Sequence, residues 1–315
     1  MTGSDTVTRF ALLAMLLLWP LRVRADAEAQ KTGDLMTWGQ ALVLGVVEGV
    51  TEYLPVSSTG HLILTQRIMH IGETADRKEA ADAYAVCIQL GAILAVAGLY
   101  FRRIRQMTSG IFGGDVVGRR LLINLCVAFA PAAIIGLLCE KKIKAYLFGG
   151  DHWGLWPIAA AWIVGGVLIL VLDRTLLRSG DNAQKLTIDG MTWRLAVGIG
   201  LAQCFAMWPG VSRSLATIAG GVIVGLGIVD AVEFSFLLGL VTLTAATLKD
   251  GVDYGRMIVD CYGYLTPILG VIAAGISAAI AVRWMVTYLQ KHSMDIFGYY
   301  RIGLGVAVII TLLVR

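Results

Sequence analysis

A chain of 315 residues that is 57% hydrophobic and 15% charged, with a mean hydropathy of +0.75, is too apolar for a water-soluble domain, in which about 25% of residues are charged. The net charge of +4 is small. Its Lys and Arg fall in short clusters between apolar runs, the pattern of loops beside membrane spans, and this excludes nucleic acid as an expected partner. The five cysteines (Cys87, Cys126, Cys139, Cys204 and Cys261) lack any ligand spacing. They read as small buried hydrophobes, with neither zinc nor a disulfide expected.

In chain order, the first element is a targeting segment. Arg9 precedes the apolar run at 11–21, and Ala25 and Ala27 give an A-x-A cleavage pattern. Residues 1–27 are therefore expected to be a signal peptide or an uncleaved N-terminal anchor. A broken apolar region follows at 37–66, then spans at 83–101, 120–139 and 155–173. A second broken region at 193–226 precedes spans at 231–248, 264–287 and 298–314. Each broken region carries Pro and a polar cluster at its centre, LPVSSTGH in the first and WPGVSRS in the second. That is the mark of a re-entrant or discontinuous helix. The expected architecture is all-α and polytopic, with six spans in a single membrane domain over 37–315.

The two halves have the same plan. GVVEGVTEYLPVSSTG from Gly45 aligns with GLAQCFAMWPGVSRSL from Gly200, pairing Glu48 with Gln203, Val56 with Val211 and Ser57 with Ser212. Each broken segment is followed by three spans, so repeat one covers about 37–175 and repeat two about 190–315. Three is odd, so the second copy enters from the opposite face. The tips of two re-entrant segments inserted from opposite sides can meet near the midplane. The link at 102–120 holds Arg102, Arg103, Arg105, Arg119 and Arg120 and is expected in the cytoplasm, with 174–194 on the same side and 67–82 outside.

Several polar residues then carry candidate chemistry. Glu48 and Glu52 are four apart and share one face of a helix. Two carboxylates at membrane depth repel, and a divalent cation such as Mg²⁺ or Ca²⁺ would relieve them. The plainer alternative is a protonated or backbone-bonded glutamate. Pro55 is expected to end the first half-helix, leaving Ser57, Ser58 and Thr59 to cap the second. A helix N-terminus of this kind is an anion site, although a simple cap explains SSTG equally well. Ser58 and His61 are three apart and can face one point, so His61 could activate a hydroxyl or protonate a leaving group. Arg213, between Ser212 and Ser214 at the second break, suits phosphate oxygens. Its plainer role is an ion pair with Glu48 or Glu52. Glu233 reads as a helix N-terminal acid.

GVVEGVTEYLPVSSTGH and PGVSRS resemble the signature motifs of the undecaprenyl-diphosphate phosphatase family, the bacitracin-resistance type of integral membrane phosphatase. The resemblance runs from about residue 38 and takes in IQLGAILAV (88–96), FSFLLGL (234–240) and YRIGLG (300–305). It implies hydrolysis of undecaprenyl diphosphate to undecaprenyl phosphate, recycling the lipid carrier of peptidoglycan synthesis and conferring bacitracin resistance. It also implies an inner-membrane protein with its site open to the periplasm and a divalent cation as cofactor. By motif match, Glu52, Ser58, His61 and Arg213 are the catalytic set and Glu48 and Glu52 the metal ligands. Ser57, Thr59, Ser212 and Ser214 are the substrate-binding neighbours. Ser58 and a water molecule stay open as nucleophile. The expected partners are the lipid substrate and membrane lipid, with a homodimer as the assembly kept in view. Leu215 departs from the family's SRSGAT and is expected to reshape the pocket. The competing reading is an inverted-repeat transporter or flippase of a polyprenyl phosphate. A histidine-nucleophile lipid phosphatase is excluded, because His292 alone follows Arg213 in the sequence.

Overall fold

The computed structural model describes residues 36–72, 75–143, 155–177 and 185–314. The targeting segment expected at 1–27 lies outside these described residues. The described chain is helical apart from an isolated parallel bridge between Leu186 and Leu226.

The first half begins with α1 (Trp38–Thr51). Thr37 caps it in a reciprocal box: its hydroxyl accepts from the Gln40 N–H at 3.2 Å, and the Gln40 side chain accepts from the Thr37 N–H at 2.8 Å. The helix stops at Thr51, four residues before Pro55. Glu52, which follows it, still has helical dihedrals (φ −63°, ψ −47°). The halt falls ahead of the proline because Pro also bars α conformation at the residue before it. After the break come α2 (Ser58–Ile68), α3 (Ala75–Leu99), α4 (Phe101–Ile111), α5 (Val116–Ile143) and α6 (Trp156–Leu172), the last running into a π turn at Asp173–Leu177. The second half repeats the order with α7 (Trp193–Cys204), a break, α8 (Arg213–Ile223), α9 (Ile228–Tyr262), α10 (Leu265–Leu289) and α11 (Asp295–Val314).

Among the described residues six helices are long and apolar enough to cross a bilayer: α3, α5, α6, α9, α10 and α11. They match the six spans expected from sequence, and the protein is a multi-pass membrane protein. Two features differ from expectation. The basic link at 102–120 contains α4, an amphipathic helix folded back on α5. The fit is tight, because a Cβ at Gly118 would meet the Gln106 carbonyl. In addition α9 has 35 residues, about 50 Å at 1.5 Å per residue, so it outruns a hydrocarbon layer of about 30 Å.

Each broken segment begins and ends on one side. Gln40 at the start of α1 donates to the Met69 carbonyl at the end of α2 (3.2 Å). Leu186, ahead of α7, exchanges backbone bonds with Gly225 and Gly227 after α8 (3.0 and 3.1 Å). The long helix α9 separates the two. Met36 and Ile71 cluster with Ile258 and Tyr262 at its C-terminal end. At its N-terminal end the Ile188 N–H donates to Asp230 (2.8 Å), and Glu233 pairs with Arg103 (2.6 Å). Glu233 therefore serves as an ion-pair partner six residues into α9, and Asp230 is the acid of the first turn.

Packing between the halves is reciprocal. α1 lies on α10, α7 lies on α5, and α6 lies on α11. Gly45 and Gly200 make the two contacts alike: a Cβ at Gly45 would meet the Gly270 carbonyl, and one at Gly200 the Ala128 carbonyl. Absent side chains let the backbones approach, as small residues do in membrane helices.

Candidate active site

The two breaks meet inside the molecule and are built alike. At the first, Ser57 has φ 73° and ψ 98°, and its hydroxyl faces the Gly60 N–H at the start of α2. At the second, Ser212 has φ 79° and ψ 119°, and its hydroxyl accepts from the Leu215 N–H at the start of α8 (3.2 Å). Positive φ at a non-glycine residue is strained and tends to mark functional sites. The aligned serines are thus N-caps in the same unusual conformation.

Glu52 joins the two breaks. One carboxylate oxygen accepts the Ser58 hydroxyl hydrogen, and the other accepts from Arg213 Nη2 at 3.2 Å. Arg213 is held on further sides. Its Nη1 donates to the Ser235 carbonyl (3.0 Å), and its guanidinium lies over the Tyr53 ring at 5.2 Å. It also fills the space a side chain at Gly239 would take. Ser214 ties the breaks from behind, donating to the Leu54 carbonyl at 2.7 Å. A cavity of about 130 Å³ opens here. The first break lines it with Glu52, Ser57, Ser58 and Thr59, and the second with Pro209, Gly210, Ser212 and Arg213. Gln89, Ala206, Trp208 and Leu243 complete the wall.

The predicted residues fall into three groups. Glu52, Ser57, Ser58, Thr59, Ser212 and Arg213 share the cavity. Glu48 lies behind it, wholly buried, with neither carboxylate oxygen bonded to a donor among the described residues. His61 and Ser214 do not line the cavity. His61 Nδ1 meets the Ser57 carbonyl at 2.7 Å, so that nitrogen carries the proton. Its Nε2 is 2.7 Å from the Tyr300 hydroxyl, and the two rings stack. Ser214 is fully buried in the tie to Leu54. Leu215 also turns away, into an apolar space with Ile169, Ile218 and Met294. It therefore does not narrow the polar cavity, contrary to the expectation from its departure from the family motif.

Sequence reading missed Tyr53, Ser235, Gly239, Gln89 and Arg301. Arg301 is fully buried in membrane-spanning α11 and donates to carbonyls of both breaks. A charged residue within an apolar span was the available signal for it. Ser235 and Gln89 likewise interrupt apolar spans.

The buried carboxylate of Glu48, without a donor among the described residues, beside that of Glu52 fits a divalent cation, since two buried acids together need positive charge to offset them. Among the described residues no group of three His, Cys, Asp or Glu stands together. Any such ion would thus rest on two carboxylates, the rest of its shell being substrate oxygens and water.

Fold and site together define a polytopic helical membrane protein with a polar reaction chamber where two broken helices meet. The chain belongs to the family described as bacitracin resistance protein BacA, which it matches over residues 41–307. It is similar to the undecaprenyl-diphosphatase of Sorangium cellulosum, 42% identical over 275 residues, covering 87% of this chain and 86% of that protein. It is also similar to undecaprenyl-diphosphatase 2 of Rhodospirillum rubrum, 42% identical over 280 residues (88% and 96%). The undecaprenyl-diphosphatase of Nitrosomonas europaea is 42% identical over 273 residues (86% and 93%).

Proposed function

We propose that this protein is an undecaprenyl-diphosphate phosphatase, releasing inorganic phosphate and returning undecaprenyl phosphate to cell-wall synthesis. Family membership supports the substrate. The observation that carries the chemistry is Glu52, which holds the Ser58 hydroxyl on one oxygen and Arg213 on the other.

In this reading Ser58 Oγ attacks the terminal phosphorus and passes its proton to Glu52. The bond from that phosphorus to the bridging oxygen breaks, leaving undecaprenyl phosphate. Water then releases phosphate from the serine. Protonation of Glu52 removes the charge that holds Arg213 Nη2, so its guanidinium becomes available to the phosphate oxygens at the moment charge develops there. The N-terminus of α2 adds unpaired N–H groups at the same point. His61 orders that first turn through its bond to the Ser57 carbonyl and is the candidate for the later proton step. Glu48 and Glu52 would hold a divalent cation, Mg²⁺ or Ca²⁺, which when bound offsets the charge of the diphosphate.

The two halves are read as an inverted repeat, in keeping with their entry at opposite ends of α9. The protein is assigned to the bacterial inner membrane with the cavity open to the periplasm, as the family resemblance implies, and the basic α4–α5 hairpin is read as cytoplasmic.

The test is phosphate release from undecaprenyl diphosphate by purified protein in detergent, with and without chelator. Glu52→Ala and Arg213→Ala are each expected to lower the rate at least about 100-fold, and chelator to lower it in the parent. Full activity in both variants would overturn the assignment.

A further inference from the structure

Arg301 has no part in the chemistry proposed above, yet, like Glu52 and Ser214, it touches both breaks. Its guanidinium donates only to backbone carbonyls: Nη1 to Pro55 at 3.1 Å, Nη2 to Gly210 at 2.9 Å and Ala161 at 2.8 Å, and Nε to Trp162 at 3.4 Å. None of its side chain is exposed. The alignment that pairs Gly45 with Gly200 also pairs Pro55 with Gly210 and Ser58 with Arg213. Arg301 therefore grips the same register position in each half, three residues ahead of Ser58 in one and of Arg213 in the other.

The physical need is clear. A break in a membrane-embedded helix frees carbonyls from the helical ladder, and at that depth they need donors. A guanidinium has five N–H donors in one plane, and here four acceptors from three elements share them. Lysine carries the same charge on a single point and cannot bridge that spread. α6 is cut away to admit the group: a Cβ at Gly165 would lie 2.8 Å from Arg301 Cζ.

We propose that Arg301 is a positioning residue that locks the two breaks in register, so that Ser58 from one and Arg213 from the other stay apposed across the cavity. The effect on rate rests on the phosphatase reading; the effect on geometry does not.

The experiment uses the full chain in detergent with two readouts. For geometry, spin labels are placed on cysteines at Thr59 and Trp208, which line the cavity from opposite breaks, in a background without native cysteines. The parent is expected to give one narrow distance distribution. Arg301→Lys and Gly165→Ala should broaden or shift it, the second without removing any charge. For rate, Arg301→Lys without the labels is expected to lower kcat about 100-fold, as small misplacements of reacting groups do, with KM changed less than about threefold by the same argument. Should Arg301→Lys fail to fold, Gly165→Ala decides. An unchanged distance distribution in the folded variants overturns the lock. A wild-type kcat in Arg301→Lys overturns its bearing on catalysis, as does a rate loss matched by loss of folded protein. A parent that releases no phosphate strikes the phosphatase reading alone, since the distances still decide the lock.

Discussion

At the residue scale, burial and hydrogen-bond partners separate residues that the motif presents as a group. Ser212 and Ser214 flank Arg213 alike in sequence, and both read as substrate neighbours. Only Ser212 lines the cavity; Ser214 spends its hydroxyl hydrogen on the Leu54 carbonyl, in the opposite break. Ser214→Ala removes one of two donors to that carbonyl, which keeps the Val56 N–H at 2.8 Å, a loss of about 0.5–1.5 kcal/mol. The expected outcome is a lowered melting temperature in detergent with KM for the lipid diphosphate nearly unchanged. A raised KM at unchanged stability would return Ser214 to the substrate. Similar logic applies to His61, whose surroundings its spacing does not reveal. Its three-residue offset from Ser58 does put both on α2, but the ring is captured by Tyr300 from α11, a contact between residues 239 apart that no local pattern encodes.

At the scale of elements, the glycines mark which helix faces are pressed together. Gly45 on α1 and Gly200 on α7 each abut a backbone carbonyl of the second span in the other half, whereas nothing lies within 4 Å of a Cβ at Gly303. Gly45→Ala and Gly200→Ala must therefore push a helix backbone aside, at a cost of about 1–3 kcal/mol each. Gly303→Ala meets open space and gains helix propensity. Thermal unfolding in detergent should show the first two destabilised to a similar degree and the third unchanged or raised. Unequal responses at Gly45 and Gly200 would show that the two contacts are not equivalent. The spans and breaks themselves were legible in the sequence. Long apolar runs have one solution in a bilayer, and Pro55 and Pro209 with their hydroxyl clusters disrupt such runs visibly. Helix α4 was not legible, because five arginines in a short link read as solvated charge until one face is seen to pack on α5. Nor were the partners of Arg301 legible, since backbone carbonyls carry no sequence signature.

For the whole molecule, the contacts in the structure gather the basic connections on one face. Arg103 on α4 bonds to Asp189 ahead of α7 and to Glu233 near the start of α9. Asp173 at the end of α6 accepts from the Met294 N–H ahead of α11. These connections therefore share a face, and the exposed Arg102, Arg105, Arg119 and Arg120 sit on it. The turn between α9 and α10 lies a full α9 length away. Positive charge is retained on the cytoplasmic side, so Phe112 in the α4–α5 hairpin should be cytoplasmic and Tyr264 periplasmic. Both are well exposed, at 85% and 73%, and suit labelling. In a background with the five native cysteines replaced, a membrane-impermeant maleimide should modify Tyr264→Cys in spheroplasts and reach Phe112→Cys only after permeabilisation. The reverse pattern would invert the whole protein. Labelling of both sites in sealed spheroplasts would be incompatible with α9 crossing the bilayer once, and with it the entry of the two broken segments from opposite faces.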